Sequence, residues 1–218
     1  MRKRFEDQLN ELKRMMTQMG ELLDDSLTMT IKALKNRDAT LAGQVIHNDI
    51  SVDEIEKDIE SLCMRLLMQQ QPVAGDLRII SSTLKMITDM ERIGDHATDI
   101  SENIIYMAKV DYTPHIKDIL KMAEIVVEMV RDAVRAFVQK DLELARIVLG
   151  RDDEVDAYFL KIKADLSSKL RQEASFGDQA LDLMMNTKYI ERIGDHAENI
   201  AEWVEYSITG AHRKSMKV

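Results

Sequence analysis

The chain is 218 residues long, and its 39 Asp and Glu residues outnumber its 30 Lys and Arg residues to give a formal net charge of −9. This acidic balance argues against nucleic acid as the main partner, because binding to phosphates draws on clustered Lys and Arg. The single cysteine, Cys63, excludes an intrachain disulfide, and the lack of an apolar signal region or of any run of about 18 uncharged apolar residues predicts a soluble, cytoplasmic protein and leaves peripheral membrane contact open.

The first half of the chain is expected to begin with two long helices. Apolar residues recur at helical spacing from Phe5 to Leu34, and the polar run Asn36-Arg37-Asp38 ends this pattern. Asp38 is suited to cap a second helix, because its carboxylate can accept a hydrogen bond from the free amides of the first turn. The second helix is expected to reach about Gln70.

A third helix follows a turn that contains Pro72 and Gly75. We expect Asp76 to be its N-cap and its last turn to lie near Met107. The run 111–114 ends in Pro114, which discourages a continuous helix and therefore separates the two halves of the chain. Residues 1–110 are thus predicted to form one three-helix bundle, and residues 115–210 a second one.

The second half of the chain is a diverged copy of the first. The seven-residue run ERIGDHA at 91–97 returns letter for letter at 191–197, one hundred positions later. Upstream of this run the matching positions are 103 apart, which indicates a net loss of three residues around Gly177-Asp178, where a loop can absorb the change. The duplication predicts an all-α protein made of two tandem antiparallel three-helix bundles.

Four acidic residues in each half are predicted to meet at one height of the bundle. Residues four apart share a helix face, and an antiparallel turn near positions 70–76 places the middle of the second helix level with the middle of the third. The two sets are Asp49, Asp53, Glu91 and Asp95 in the first half, and Asp152, Asp156, Glu191 and Asp195 in the second. Asp99 and Asn199 extend each third-helix face by one turn and are expected as outer ligands.

Such groups of carboxylates indicate cation sites. Four adjacent carboxylates cannot all stay ionised unless their pKa values rise or a cation binds. Oxygen ligands suit magnesium, calcium, manganese or iron, with zinc as a further candidate, so divalent or trivalent metal ions are the expected cofactors. The alternative is a solvated acidic face whose charges pair with Arg92, Arg192 or nearby lysines.

Other residues of the repeated run are expected to act less directly. His96 and His196 are rotated by about 100° around the helix from the preceding aspartates, so an indirect or surface role is expected. Gly94 and Gly194 each cost about 1 kcal/mol of helix propensity relative to alanine. Each glycine therefore indicates either room for a metal or water beside the backbone, or close packing between helices.

Together these motifs resemble the PhoU family of phosphate-transport regulatory proteins across nearly the whole chain. The resemblance rests on the run QQPVAGDLR at 70–78, on the duplicated ERIGD and on the paired aspartates. It implies metal clusters held by the acidic motifs, and a non-enzymatic role in which the protein represses phosphate-starvation signalling and restrains the phosphate ABC transporter. It also implies a homodimer and contacts with the transporter's ATPase subunit and a membrane sensor histidine kinase.

The second half departs from a perfect repeat in two places. It has no proline equivalent to Pro72, and Asn199 stands where the first half has Asp99. The outer ligand of the second half would therefore be an amide oxygen.

Two other functions are compatible with acidic helical bundles. A ferritin-like di-iron oxidase would use Glu-x-x-His on two of its helices, but glycine occupies the third position after Glu91 and after Glu191. A metal-free structural adaptor, whose acids only keep it in solution, is the second alternative. Retention of metal by the purified protein separates the adaptor from the metal-binding interpretation.

Overall fold

The computed structural model describes residues 2–69, 72–108 and 116–211, and in these ranges the chain is helical, without strands. The elements are α1 (Arg2–Asn36), α2 (Ala39–Gln69), α3 (Ala74–Met107), α4 (Lys117–Gln139), α5 (Leu142–Gln172), a 3₁₀ turn (Ala174–Phe176) and α6 (Gly177–Thr209). The all-α fold predicted from the sequence is confirmed, whereas the separator predicted at 111–114 lies outside the described residues. None of these helices combines the length and the apolar character needed to cross a membrane.

Aspartate caps set the start of the second helix in each half. Asp38 Oδ1 accepts a hydrogen bond from the amide of Leu41 at 2.9 Å, and Asp141 Oδ1 accepts one from the amide of Leu144 at 3.0 Å. Each bond satisfies an amide that has no partner within its own helix. The cap predicted at Asp38 is therefore confirmed, and it recurs in the second half.

The third helix begins earlier than the sequence predicts. Its N-cap is Val73, which makes no side-chain capping bond, and α3 begins at Ala74. The prediction of Asp76 as the N-cap is wrong, because Val73 is the last residue with extended backbone angles and Asp76 already lies inside the first turn. A negative charge in that turn still favours the helix, since the N-terminal end of the helix dipole is positive.

The three residues missing from the second half are missing from a connection between helices. Gln69 and Gln172, which end α2 and α5, are 103 positions apart, whereas Ala74 and Ala174, which begin the next helical turns, are 100 apart. Four positions of the sequence thus lie between Gln69 and Ala74 in the first half, whereas only Glu173 lies between Gln172 and Ala174 in the second. Loops tolerate such changes because few packing contacts depend on their length.

The two bundles pack side by side and share one hydrophobic core. Within each half all three helices contact one another, and between the halves α3 packs against α6 and α1 against α4. Helices α2 and α5 lie on the outside. Buried apolar side chains from all six helices form one continuous cluster. The four inner helices thus fix how the acidic faces of the two halves are placed relative to each other.

Asn103 and Arg131 make polar contacts that help to fix the register of the two halves. Asn103 Nδ2 donates to the carbonyl of Asp182 and to Oδ1 of Asn186, both at 2.9 Å, and so joins α3 to α6. Arg131 pairs with Asp24 at 2.7 Å and so joins α4 to α1. Because Asn186 is fully buried, its amide loses water on folding and needs a protein partner.

Replacing Asn186 with alanine is expected to lower the free energy of unfolding by about 1–3 kcal/mol, because the amide of Asn103 loses one of its two partners in the interface. Urea denaturation followed by circular dichroism measures the change. Asn48, an exposed residue of α2, provides the control, since its replacement with alanine should change stability by no more than about 0.5 kcal/mol. Equal effects of the two substitutions would contradict the role assigned to the contact.

Candidate metal centres

The first acidic cluster lies between α2 and α3. Asp49 and Asp53 come from α2, and Glu91 and Asp95 come from α3. Burial raises the pKa of Asp49, and the charges of Asp53 and Asp95 raise it further. The pKa of Glu91 is also raised, first by burial and then by Asp95, with Asp53 and Glu56 adding to the effect. The structure thus brings the four acids of this half within range of one another's charges.

Positive charge around the first cluster is limited and exposed. Arg92 Nη1 contacts Asp95 Oδ2 at 2.9 Å, and Arg92 Nε lies 3.5 Å from Glu91 Oε2, but the arginine side chain is 57% exposed. Exposed ion pairs of this kind contribute about 0–1 kcal/mol. Among the described residues, no lysine or arginine forms an ion pair with Asp49 or Asp53. The cluster therefore keeps an excess of negative charge.

Gly94 allows α2 to bring a carboxylate against the backbone of α3. A β-carbon at this position would lie 2.8 Å from Asp49 Oδ1 and 3.4 Å from Val52 Cγ1. The first distance is shorter than van der Waals contact, so a larger residue would displace the carboxylate. In the first half the glycine therefore provides room beside the backbone, and the Asp49 carboxylate occupies it.

The second acidic cluster lies between α5 and α6. Asp152 and Asp156 come from α5, and Glu191 and Asp195 come from α6. The pKa of Asp195 is raised to about 6, by burial first and then by Glu191, Asp152 and Asp156, and Lys188 offsets part of this rise. Burial and the charge of Asp156 also raise the pKa of Asp152. The four acids of the second half are thus together as well.

Gly194 packs against the counterparts of two neighbours of Gly94, but no carboxylate is among its nearest contacts. A β-carbon at Gly194 would lie 3.3 Å from Val155 Cγ1 and 3.5 Å from Val126 Cγ2, and its three nearest contacts are all valine atoms. In the second half the glycine therefore serves close packing between helices. Close packing between helices therefore applies to both glycines, and only Gly94 also leaves space that a carboxylate occupies.

The outer residues Asp99 and Asn199 are engaged at the seam between α3 and α6. Asp99 Oδ2 lies 3.2 Å from Nδ1 of His96. Asn199 Nδ2 donates to Asp89 Oδ1 at 3.2 Å, and Nδ1 of His196 lies 2.8 Å from the same oxygen. The structure therefore does not bring these two residues together with the acids of the clusters, and their role as metal ligands stays a prediction.

The two repeated histidines meet across this seam. The ring centroids of His96 and His196 are 5.6 Å apart, and the ring of Tyr189 lies at the same distance from His96. Burial lowers the pKa of His96, and its hydrogen bond to Asp99 offsets part of that effect. The surface position considered for His96 is wrong, because the packing of α6 on α3 buries it.

Sequence reasoning missed two acids near these sites. The charge of Glu56 adds to the rise in the pKa of Glu91, which burial mainly causes. Glu56 follows Asp53 by three residues on the same helix face, so this spacing could have indicated it from the sequence. Asp89 lies against His196 across the seam. No local pattern indicates Asp89, because its partner belongs to the other half of the chain.

The donor set of each cluster suits a hard metal ion. Carboxylate oxygens are the preferred ligands of magnesium and manganese, and they also bind iron and zinc. As the side chains stand, no three Asp, Glu, His or Cys residues within the described ranges have the geometry that holds a metal ion. The donor chemistry and the uncompensated charge therefore fit a cation, and coordination would require the carboxylates to turn toward a common centre.

Comparison with known proteins identifies relatives of this duplicated scaffold. The PhoU domain family matches residues 16–104 and 119–204. The phosphate-specific transport system accessory protein PhoU homolog of Clostridium acetobutylicum is 36% identical over 210 residues, which cover 96% of each chain. The corresponding homolog of Aquifex aeolicus is 36% identical over 185 residues, or 85% of this chain and 84% of the relative.

Solved structures share the same fold. The crystal structure of PhoU from Pseudomonas aeruginosa superposes with a TM-score of 0.92 at 31% identity and covers 95% of this chain and 100% of that chain. The phosphate transport system regulatory protein PhoU from Streptococcus pneumoniae has a TM-score of 0.88 at 24% identity, with 95% and 98% covered, and supports the fold alone. Fold and sites define a duplicated three-helix-bundle protein with an acidic centre in each repeat. The chain belongs to the PhoU family.

We predict that acid pH stabilises the metal-free protein through Asp195. Folding raises the pKa of this carboxyl from 3.8 to about 6, so between these values the folded protein holds a proton that the unfolded chain releases. The free energy of unfolding should therefore rise as the pH falls through about 6, and the gain is complete below 3.8. Urea denaturation in the presence of a chelator, repeated across this pH range, measures the effect.

Asp195→Asn isolates this contribution. The variant should be more stable than the unmodified protein near neutral pH, where Asp195 is charged among like charges, and the difference should vanish toward about pH 4. Glu102→Gln, at an exposed position of α3 outside the clusters, serves as the control. A difference between Asp195→Asn and the unmodified protein that stays constant with pH would reject the assignment.

Proposed function

We propose that this protein is a metal-binding helical adaptor that regulates phosphate uptake and represses phosphate-starvation signalling. Relatives of this chain carry names that describe accessory proteins of the phosphate-specific transport system, which supports a regulatory rather than an enzymatic role. The partners we propose are the ATPase subunit of the phosphate ABC transporter and a membrane sensor histidine kinase. The working form we propose is a homodimer.

The observation that carries the metal proposal is the meeting of four carboxylates in each half with too little positive charge to balance them. Burial is the main cause of the raised pKa values of Asp49, Glu91, Asp152 and Asp195, and the charges of neighbouring acids in each cluster raise them further. A bound divalent or trivalent cation, such as iron, zinc, magnesium or manganese, would offset the repulsion between the ionised acids. Asp99 and Asn199 would join as ligands only after leaving their partners at the seam.

Cation binding would also change the surface that a partner meets. The chain carries a net charge of −9, and unscreened acidic patches repel acidic surfaces of other proteins. Neutralising two patches on a helical scaffold would alter docking without refolding either bundle. We therefore propose that bound metal favours the docked state with the transporter subunit and the kinase.

Replacing all four acids of the first cluster with amides tests this function. Metal measured by mass spectrometry after dialysis should fall to the content of the second centre alone, and circular dichroism should show that the helices are retained. The metal-free variant should be more stable than the metal-free unmodified protein, because repulsion between the acids is gone. The substitutions are Asp49→Asn, Asp53→Asn, Glu91→Gln and Asp95→Asn.

Glu102→Gln is the matched control, since it removes an exposed acid from α3 outside the cluster. Docking to the purified ATPase subunit and to the cytoplasmic part of the kinase is measured by biolayer interferometry on the same proteins, with and without chelator. Metal content that the four substitutions leave unchanged would show that the ligands are wrong. If neither the chelator nor the substitutions change the affinity of docking, the proposed link between metal binding and partner binding is rejected.

The two repeated glycines provide a second, paired test. Gly94→Ala should weaken metal binding at the first centre by about tenfold or more, because the new methyl group displaces the Asp49 carboxylate. Gly194→Ala should leave binding at the second centre nearly unchanged, because its methyl group meets valines. Equilibrium dialysis with Zn²⁺ measures both affinities. Equal losses in the two variants would contradict the different roles assigned to these glycines.

A further inference from the structure

We propose that the two acidic centres are unequal, and that Lys188 is a built-in cation of the second centre, which therefore binds a metal ion more weakly than the first. The proposal rests on the metal-binding function proposed above and concerns residues outside the repeated acidic motif. Equivalent positions of the two halves can be compared directly, because the duplication gives them the same local fold.

In the second half, Lys188 places a positive charge among the acids. Its ammonium forms a close ion pair with Glu191, and its charge offsets part of the rise in the pKa of Asp195. The ring of Phe159, from α5, has its centroid 5.3 Å from the same ammonium. Because the face of an aromatic ring attracts cations, Phe159 and Glu191 together hold the ammonium between α5 and α6. The second centre thus already contains one cation.

The first half has neither member of this pair. Thr88 occupies the position equivalent to Lys188, and its hydroxyl donates to the carbonyl of Leu84 at 3.3 Å on its own helix. Glu56 occupies the position equivalent to Phe159, and its charge acts on Glu91. At these two positions the first centre is more negative than the second by two charges. Asp153, whose charge raises the pKa of Asp152 and which stands where the first half has Ile50, reduces this difference to one charge.

The arginines of the repeated run do not cancel this difference. Arg92 and Arg192 occupy equivalent positions, so both halves carry the same charge there. Arg92 pairs with acids of its own helix from an exposed position, and such pairs are weak because water competes for both groups. A metal ion can displace this guanidinium into solvent without breaking packing between helices.

Unequal charge leads to unequal filling. A metal ion that enters the second centre must either displace the Lys188 ammonium from Glu191 and Phe159 or share carboxylates with it. Both routes lose attraction that a metal ion keeps at the first centre, and we expect the loss to be about tenfold or more in affinity. As the metal concentration rises, the first centre should therefore fill before the second.

Isothermal titration calorimetry of the metal-free full-length protein with Mn²⁺ tests this order. The unmodified protein should show a tighter and a weaker class of sites. Asp49→Asn should remove the tighter class, and Asp152→Asn should remove the weaker class. Lys188→Thr, which copies the first half, should tighten the weaker class by about tenfold and leave the tighter class unchanged.

Reciprocal and matched variants strengthen the test. Thr88→Lys should weaken the tighter class, because it adds the missing cation to the first centre. Lys85→Thr removes a lysine from an exposed position of α3 and should change neither class. Lys188→Gln is a second neutral variant, so a folding defect in Lys188→Thr would not hide the effect.

Two results would overturn the proposal in distinguishable ways. Two equal classes of sites, or a second centre whose affinity both Lys188 variants leave unchanged, would reject the inequality and leave the metal-binding function in place. Absence of Mn²⁺ binding in the unmodified protein and in every variant would reject the metal-binding function itself, and the inequality with it.

Discussion

Repulsion between carboxylates held at one height on antiparallel helices is the constraint on which the rest of this structure depends. The acids cannot move apart, because buried Val52 on α2 and buried Ile93 on α3 lie within three residues of them and fix the register of the helices. Full burial of one such side chain contributes about 1.5–3 kcal/mol. Many buried residues of this kind outweigh the cost of crowding charges at a surface, where water screens them. The acidic clusters are therefore imposed by the core, and their excess charge is available to a ligand.

Residues of the repeated seven-residue run lie in three different environments: the core, the acidic cluster and the seam between the halves. In the first half, Ile93 and Ala97 are buried in the core, whereas Glu91 and Asp95 belong to the acidic cluster beside α2. His96 meets its counterpart from α6 at the seam between the halves. A change at any of these positions would disturb the core, the cluster or the seam. This triple use gives a physical reason for the identity of the run in both halves, while the positions around it have diverged.

The sequence predicted features that depend on one half alone. The meeting of four acids at one height follows from the helical rise and the position of one turn, and the structure brings these acids within range of one another's charges. The contacts at the seam between the halves could not be predicted in this way, because the pairing of His196 with Asp89 depends on how the two bundles pack against each other. The N-cap at Val73 was missed because a helix that starts without a side-chain capping bond leaves little signal in the sequence.

Identical motifs need not make identical sites. The electrostatic energy of a bound cation depends on every charge within about one Debye length, roughly 10 Å at 0.1 M salt, and not only on its ligands. Glu56 in the first half and Lys188 in the second lie outside the repeated run, yet their charges act at its acids, whereas their counterparts Phe159 and Thr88 are uncharged. A comparison of motifs alone would therefore assign the two centres equal affinity. With one strongly negative centre and one that carries its own counter-ion, a duplicated scaffold gains two thresholds for the same metal, so one centre would keep its ion while the other responds to supply.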